Sequence, residues 1–125
     1  MNAHFEDEGK HDVEEVLRGY TPNVKWRAPA RGIALEGLKA VGKNYRQIFL
    51  SLQNVVFRTV NRCADDNSVM DHSVVTCFYV GGLENFPVPA GSHIQMDLYH
   101  YFEITPEGLI SLEVAGEFPR VVYPR

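Results

Sequence analysis

The second half of the chain alternates apolar and polar residues with a period of two, and the first half does not. Long alternating runs cover residues 55–63, 69–80 and 93–104, and a last one covers 109–118. That period sends successive side chains to opposite faces of a strand. Asp65-Asp66-Asn67 supplies a turn after the first run, Gly81-Gly82 opens a longer loop through Phe86-Pro87-Val88-Pro89-Ala90-Gly91, and Pro106-Glu107-Gly108 tightens the last hairpin. In the first half the apolar spacing is three-four. Asp12 can cap a short helix through Val13, Val16, Leu17 and Tyr20, which Thr21-Pro22-Asn23 stops. A longer helix is predicted over residues 36–52, with Leu38, Val41, Tyr45, Ile48, Phe49 and Leu52 in one stripe, weakened by Gly37 and Gly42. Between the helices, residues 24–29 and 33–35 form a brief strand pair around a Pro-Ala-Arg-Gly turn. The order predicts an α+β domain with helices packed on one face of a curved antiparallel sheet.

Two of the runs carry a histidine in a mostly apolar row. The rows are Met70, His72, Val74, Thr76, Phe78 and Val80, and Ile94, Met96, Leu98, His100, Phe102 and Ile104. If both face one interior, two imidazoles sit in an apolar wall, the usual make-up of a small-molecule site. This leaves Val75, Cys77 and Tyr79 for the outer face, where a contiguous apolar patch is expected to form a homodimer contact.

Composition narrows the picture. The 125 residues, 45% hydrophobic and 22% charged, fit a single domain, 1–125, with a real core. Twelve basic residues against sixteen acidic ones give a net charge of −4 with no long basic run, which argues against nucleic-acid binding. The first eight residues are polar and acidic, the reverse of a signal peptide, and no apolar stretch reaches membrane-spanning length. A cytoplasmic protein with no membrane partner is the expectation. Cys63 and Cys77 lack metal-ligand spacing and read as reduced, buried thiols. No third ligand accompanies His72 and His100, because His4, His11 and His93 lie far along the chain or on the opposite row, so no metal site is expected.

Several local strings carry a resemblance. Tyr20-x-x-x-Val24-x-Trp26-x-x-Pro29, Leu35-Glu36-Gly37 opening a helix, Asp65-Asp66-Asn67-Ser68-Val69, Pro89-Ala90-Gly91 and Glu107-Gly108-Leu109-Ile110 together resemble the SnoaL-like polyketide cyclase and ketosteroid isomerase group of the nuclear-transport-factor-like superfamily. The resemblance covers residues 11–118 and implies a conical barrel of helices packed on a strongly curved, mainly antiparallel sheet. It also implies a deep pocket, frequent dimerisation through the outer sheet face, and work without a cofactor. None of these strings is catalytic. The isomerases' general-base aspartate, expected just before the early-strand proline, is replaced here by Arg27 or Ala28, and their second acid falls at or next to His100. The Arg-x-Asp pair and last-strand aspartate of the related limonene-epoxide hydrolases match His72, Val74 and Ala115, which disfavours epoxide hydrolysis by that triad.

The candidate chemistry therefore rests on other residues. His100 and His72 are the candidate proton-transfer groups, with Glu113 as orienting partner or second base, since a carboxylate fixes an imidazole's tautomer and stabilises its protonated form. The resemblance turns the row Ser111, Glu113, Ala115, Glu117 toward the pocket, whereas the oilier row Ile110, Leu112, Val114 argues the reverse. Trp26, Tyr45, Phe49, Phe57 and Phe102 are the candidate substrate-binding side chains. Two functions follow. One is a cofactor-independent isomerase or cyclase acting on a hydrophobic carbonyl compound by proton transfer. The other is a non-catalytic ligand-binding or dimerisation module whose cavity is filled by Phe49, Phe57, Phe78 and Phe102.

Overall fold

The structure is a computed structural model that describes residues 13–123. Helix α1 (Val13–Leu17) leads into strand β1 (Tyr20–Ala28), a 3-10 turn (Pro29–Arg31), β2 (Ile33–Glu36) and helix α2 (Leu38–Ser51). Four long strands follow: β3 (Leu52–Ala64), β4 (Ser68–Tyr79), β5 (Ser92–Ile104) and β6 (Ile110–Tyr123). Together with β1 and β2 they form one six-stranded sheet in the order β2-β1-β6-β5-β4-β3, antiparallel everywhere except between β1 and β6. The fold is the expected α+β cone, with a strongly curved, mainly antiparallel sheet that stays open instead of closing into a barrel.

The predicted short helix ends earlier than its apolar spacing implies. Tyr20 belongs to β1 and not to the helix, because it pairs with Ile110 of β6 and the neighbouring Gly19 carbonyl accepts from the Ile110 amide at 2.7 Å. The proposed Asp12 cap lies outside the described residues. Helix α2 begins one residue after Gly37, whose φ of 91° favours glycine and whose amide donates to Val24 at 2.8 Å. Gly42 lets α1 approach: a Cβ there would stand 3.0 Å from the Leu17 side chain. The Asp65 turn forms as predicted, its carboxylate accepting from the Asn67 and Ser68 amides at 2.9 and 2.7 Å.

One strand faces the opposite way from the sequence expectation. In β4 the buried row is Val69, Asp71, Ser73, Val75, Cys77 and Tyr79, and the row carrying Met70, His72 and Phe78 lies on the outer face. The reason is the β4–β5 register, which sets Asp71 opposite His100 and His72 opposite Tyr99. Directly opposed residues share a face, so the inward row of β5 dictates the inward row of β4. The outer dimer patch expected from Val75, Cys77 and Tyr79 is therefore corrected: these three are core. Cys63 is exposed and not buried, whereas burial pushes the Cys77 thiol up to about 11 and leaves it inert.

The core is in two parts. Trp26, Tyr45, Val41, Tyr20 and Phe102 pack at one end of the cone, and Val75, Cys77, Ile94, Met96 and Leu98 line the other. The stripe of α2 covers both, and it leaves a cleft between itself and the sheet.

Candidate functional site

Glu113 is the most consequential inward residue. A register shift between Glu103 and Ile104 breaks strict alternation in the β5–β6 pairing, so Ile110 and Glu113 both turn inward although three positions apart. That resolves the two sequence readings of this strand in favour of an inward Glu113, which is 1% exposed. A carboxylate so buried needs partners. The Tyr20 hydroxyl donates to its Oε1 at 2.5 Å, and the Tyr45 hydroxyl stands 3.1 and 3.2 Å from its two oxygens. The two hydroxyls are 2.8 Å apart. Strand β1 supplies one, helix α2 the other.

His100 on β5 lies next to this cluster, 5% exposed and stacked on Phe102 with ring centroids 5.3 Å apart. Its Nε2 is 3.6 Å from Glu113 Oε2, and its Nδ1 is 3.8 Å from Asp71 Oδ2. Asp71 is itself tied to Ser73, which donates at 2.8 Å, and to Arg62, whose Nε donates at 3.1 Å. The imidazole thus lies between two buried carboxylates. Burial alone would push the Asp71 carboxyl up, but the facing His100 and hydrogen bonds from Ser73 and Arg62 outweigh it and hold the group below its ordinary 3.8.

A pH dependence follows. A carboxyl whose folded value is depressed adds stability that is present above about pH 3.8 and is lost as pH falls through the folded value. Asp71→Asn is expected to lower stability at pH 7 by about 1.5–3 kcal/mol, the worth of hydrogen bonds to a charged group. It is also expected to flatten the loss of melting temperature below pH 4 relative to wild type. Parallel thermal melts across pH 3–7 check both.

Above His100 and Glu113 opens a cleft of about 50 Å³. This is room for about four water-sized spheres. Trp26, Tyr45, Phe49 and Phe57 line it, as the sequence proposed for substrate contact, and Glu113 and His100 lie in its lining. Phe102 does not. It is fully buried, pairs across the sheet with Glu113 and belongs to the core. Phe78 packs against His93 on the outer face and cannot fill the cleft.

At the mouth stand Leu83 and Phe86 from the loop after β4, and Glu117 of β6. Arg31, 3% exposed, binds Glu117 through Nε at 2.7 Å and donates to the Glu84 carbonyl at 3.2 Å, while Asn85 donates to the Arg31 carbonyl at 2.8 Å. The loop is thereby fastened to the turn after β1.

His72 is removed from the cleft by its strand's orientation. It stacks on Tyr99 at 4.3 Å and pairs with Asp97 through Nε2 at 2.8 Å, on the outer face. Asp71, Tyr20, Ser73 and Arg62 were missed from sequence. An inward row of Met70, His72 and Val74 puts Asp71 outside, and Tyr20 fits a helical spacing, so neither stands out in the sequence. Among the described residues no group of three or more histidine, cysteine, aspartate or glutamate side chains is placed to hold a metal ion, and no helix is long and apolar enough to cross a membrane.

Comparison with known proteins supplies the family. The model of the SnoaL-like domain matches residues 1–113. No curated protein matches. Among solved structures, the epoxide hydrolase/cyclase-like enzyme SalBIII, of pyran ring formation in the polyether salinomycin, superposes with a TM-score of 0.76 at 17% identity, over 93% of this chain and 85% of that one. A steroid delta-isomerase from Pseudomonas aeruginosa gives 0.62 at 13% identity, over 92% and 74%. A Mycobacterium tuberculosis protein in complex with estradiol-17beta-hemisuccinate gives 0.68 at 13% identity, over 91% and 87%. At these identities the likeness concerns the fold.

Proposed function

We propose that this chain, which belongs to the SnoaL-like domain family, is a cofactor-independent isomerase- or cyclase-type enzyme that moves a proton on a hydrophobic carbonyl compound. The observation that carries this reading is the His100–Glu113 pair, two titratable groups 3.6 Å apart in the lining of an otherwise largely apolar cleft. Glu113 takes the α-proton as base; the electron pair of the C–H bond moves toward the carbonyl oxygen, and the proton is returned at the same or another carbon. His100, set between Asp71 and Glu113, is the adjacent acid. Tyr20 and Tyr45 hold the carboxylate in place. His72 has no part in this reaction, because it faces outward.

The test needs no knowledge of the natural substrate. In D2O the wild-type protein is expected to accelerate exchange of the α-hydrogens of cyclic ketones, and both His100→Gln and Glu113→Gln are expected to lose that acceleration. A ketone panel left untouched by the wild type overturns the reading. The small cleft volume favours a second reading, a non-catalytic ligand-binding module, which predicts binding without exchange.

We further propose that the protein is cytoplasmic and a homodimer. The outer sheet face supports the dimer with Val56, Met70, Tyr99 and Phe118 exposed, the last at 58%. Sedimentation at low micromolar concentration is expected to show a dimer for the wild type and a monomer for Phe118→Glu; a wild-type monomer contradicts it.

A further inference from the structure

Trp26 is the chain's one tryptophan, and its indole N–H has no acceptor among the described residues although the residue is 2% exposed. A buried donor left unpaired costs about 1–3 kcal/mol and is rare in native proteins. Its surroundings explain why none of the described residues relieves it. Of the polar side chains that line the same cleft, Tyr45 is engaged with Glu113 and Glu117 with Arg31. The ring itself is fixed, edge-on to Tyr45 with centroids 6.3 Å apart. Trp26 lines the same cleft as His100 and Glu113.

The sheet sets the spacing. Trp26 pairs with Glu113 across β1 and β6, and β5, which carries His100, lies on the far side of β6. Neighbouring strands are roughly 4.8 Å apart, so the indole sits about one strand from Glu113 and about two strands from His100. An indole N–H donates and never accepts. The group it meets must be an acceptor, and it must belong to a part of the ligand one strand away from the reacting carbon.

We infer that Trp26 is a specificity-determining residue whose indole N–H binds a second oxygen acceptor of the substrate, so that the site selects dioxygenated carbonyl compounds over monoketones. The inference rests on the proposed proton-transfer reading, because that reading places the reacting carbonyl at His100 and Glu113. An aliphatic ketone with no second oxygen leaves the indole unpaired. A dione satisfies both ends.

The probes are cyclohexane-1,4-dione and cyclohexanone, and the readouts are the single indole N–H resonance and the His100 ring resonances. The dione is expected to move the indole N–H downfield and to bind about 3–10-fold more tightly than the monoketone, the ratio that one neutral hydrogen bond gives. Trp26→Phe keeps an aromatic wall and removes the donor; it is expected to weaken both ketones through the smaller ring and to abolish the ratio between them, so that the dione binds no more tightly than cyclohexanone. If both ketones move His100 but the dione leaves the indole N–H where it was, the inference falls and the proton-transfer reading stands. If neither ketone moves His100, the underlying reading falls and this inference falls with it. The indole readout uses the wild-type protein, so it decides the matter even where the variant does not fold.

Discussion

Glu113→Gln is expected to slow catalysed exchange of ketone α-hydrogens by about a hundred- to ten-thousand-fold, the contribution of one positioned acid or base. The amide matches the carboxylate in shape and its oxygen still accepts from Tyr20 and Tyr45, so the packing around α2 and β1 survives. What is lost is the base, together with one of the two negative charges that flank His100. The binding of ketones should weaken far less than the rate, because Trp26, Phe49 and Phe57 are untouched. Exchange measured by proton resonance against protein concentration separates the two. A Glu113→Gln protein that exchanges at the wild-type rate removes Glu113 from the reaction.

The second large effect is on stability. Phe102→Ala is expected to cost about 3–5 kcal/mol, the usual loss for emptying a buried phenylalanine site. In a chain of this size that lowers the melting temperature by more than about 10 °C. The residue is fully buried, stacks on His100 and lies opposite Glu113, and no part of it lines the cleft. Phe49→Ala, at a half-buried lining position, is expected to cost less stability and more ketone affinity. The opposite pattern, with Phe102→Ala stable and defective only in ketone binding, would return Phe102 to the substrate wall.

These two residues also show what the sequence could reveal. The meander, the two helices, the inward row of β5 and the lining aromatics Trp26, Tyr45, Phe49 and Phe57 follow from periodicity, from turn chemistry and from the family resemblance. The face of β4 did not follow. Its outer row, with Met70, Val74 and Phe78, is as oily as its inner row, because the outer face of this sheet carries exposed apolar residues. Asp71 and Ser73 make the inner row look polar, and their burial is tolerable only because Arg62 and His100 come from other strands to meet them. That compensation depends on register, and a loop of about a dozen residues between β4 and β5 hides the register from a reader of sequence. Tyr20 was obscured differently. Its spacing suits a helix, and only a parallel pairing with β6, ninety residues away in sequence, draws it into the sheet beside Glu113.

The central claim is that His100 and Glu113 form a ligand-responsive pair inside the cleft. Following the ring resonances of His100 and of the outward His72 during titration with cyclohexanone tests it most directly. His100 is expected to shift on binding and to lose that shift in Glu113→Gln, while His72, held by Asp97 on the outer face, does not move. A His100 indifferent to the ketone, or a response confined to His72, contradicts it.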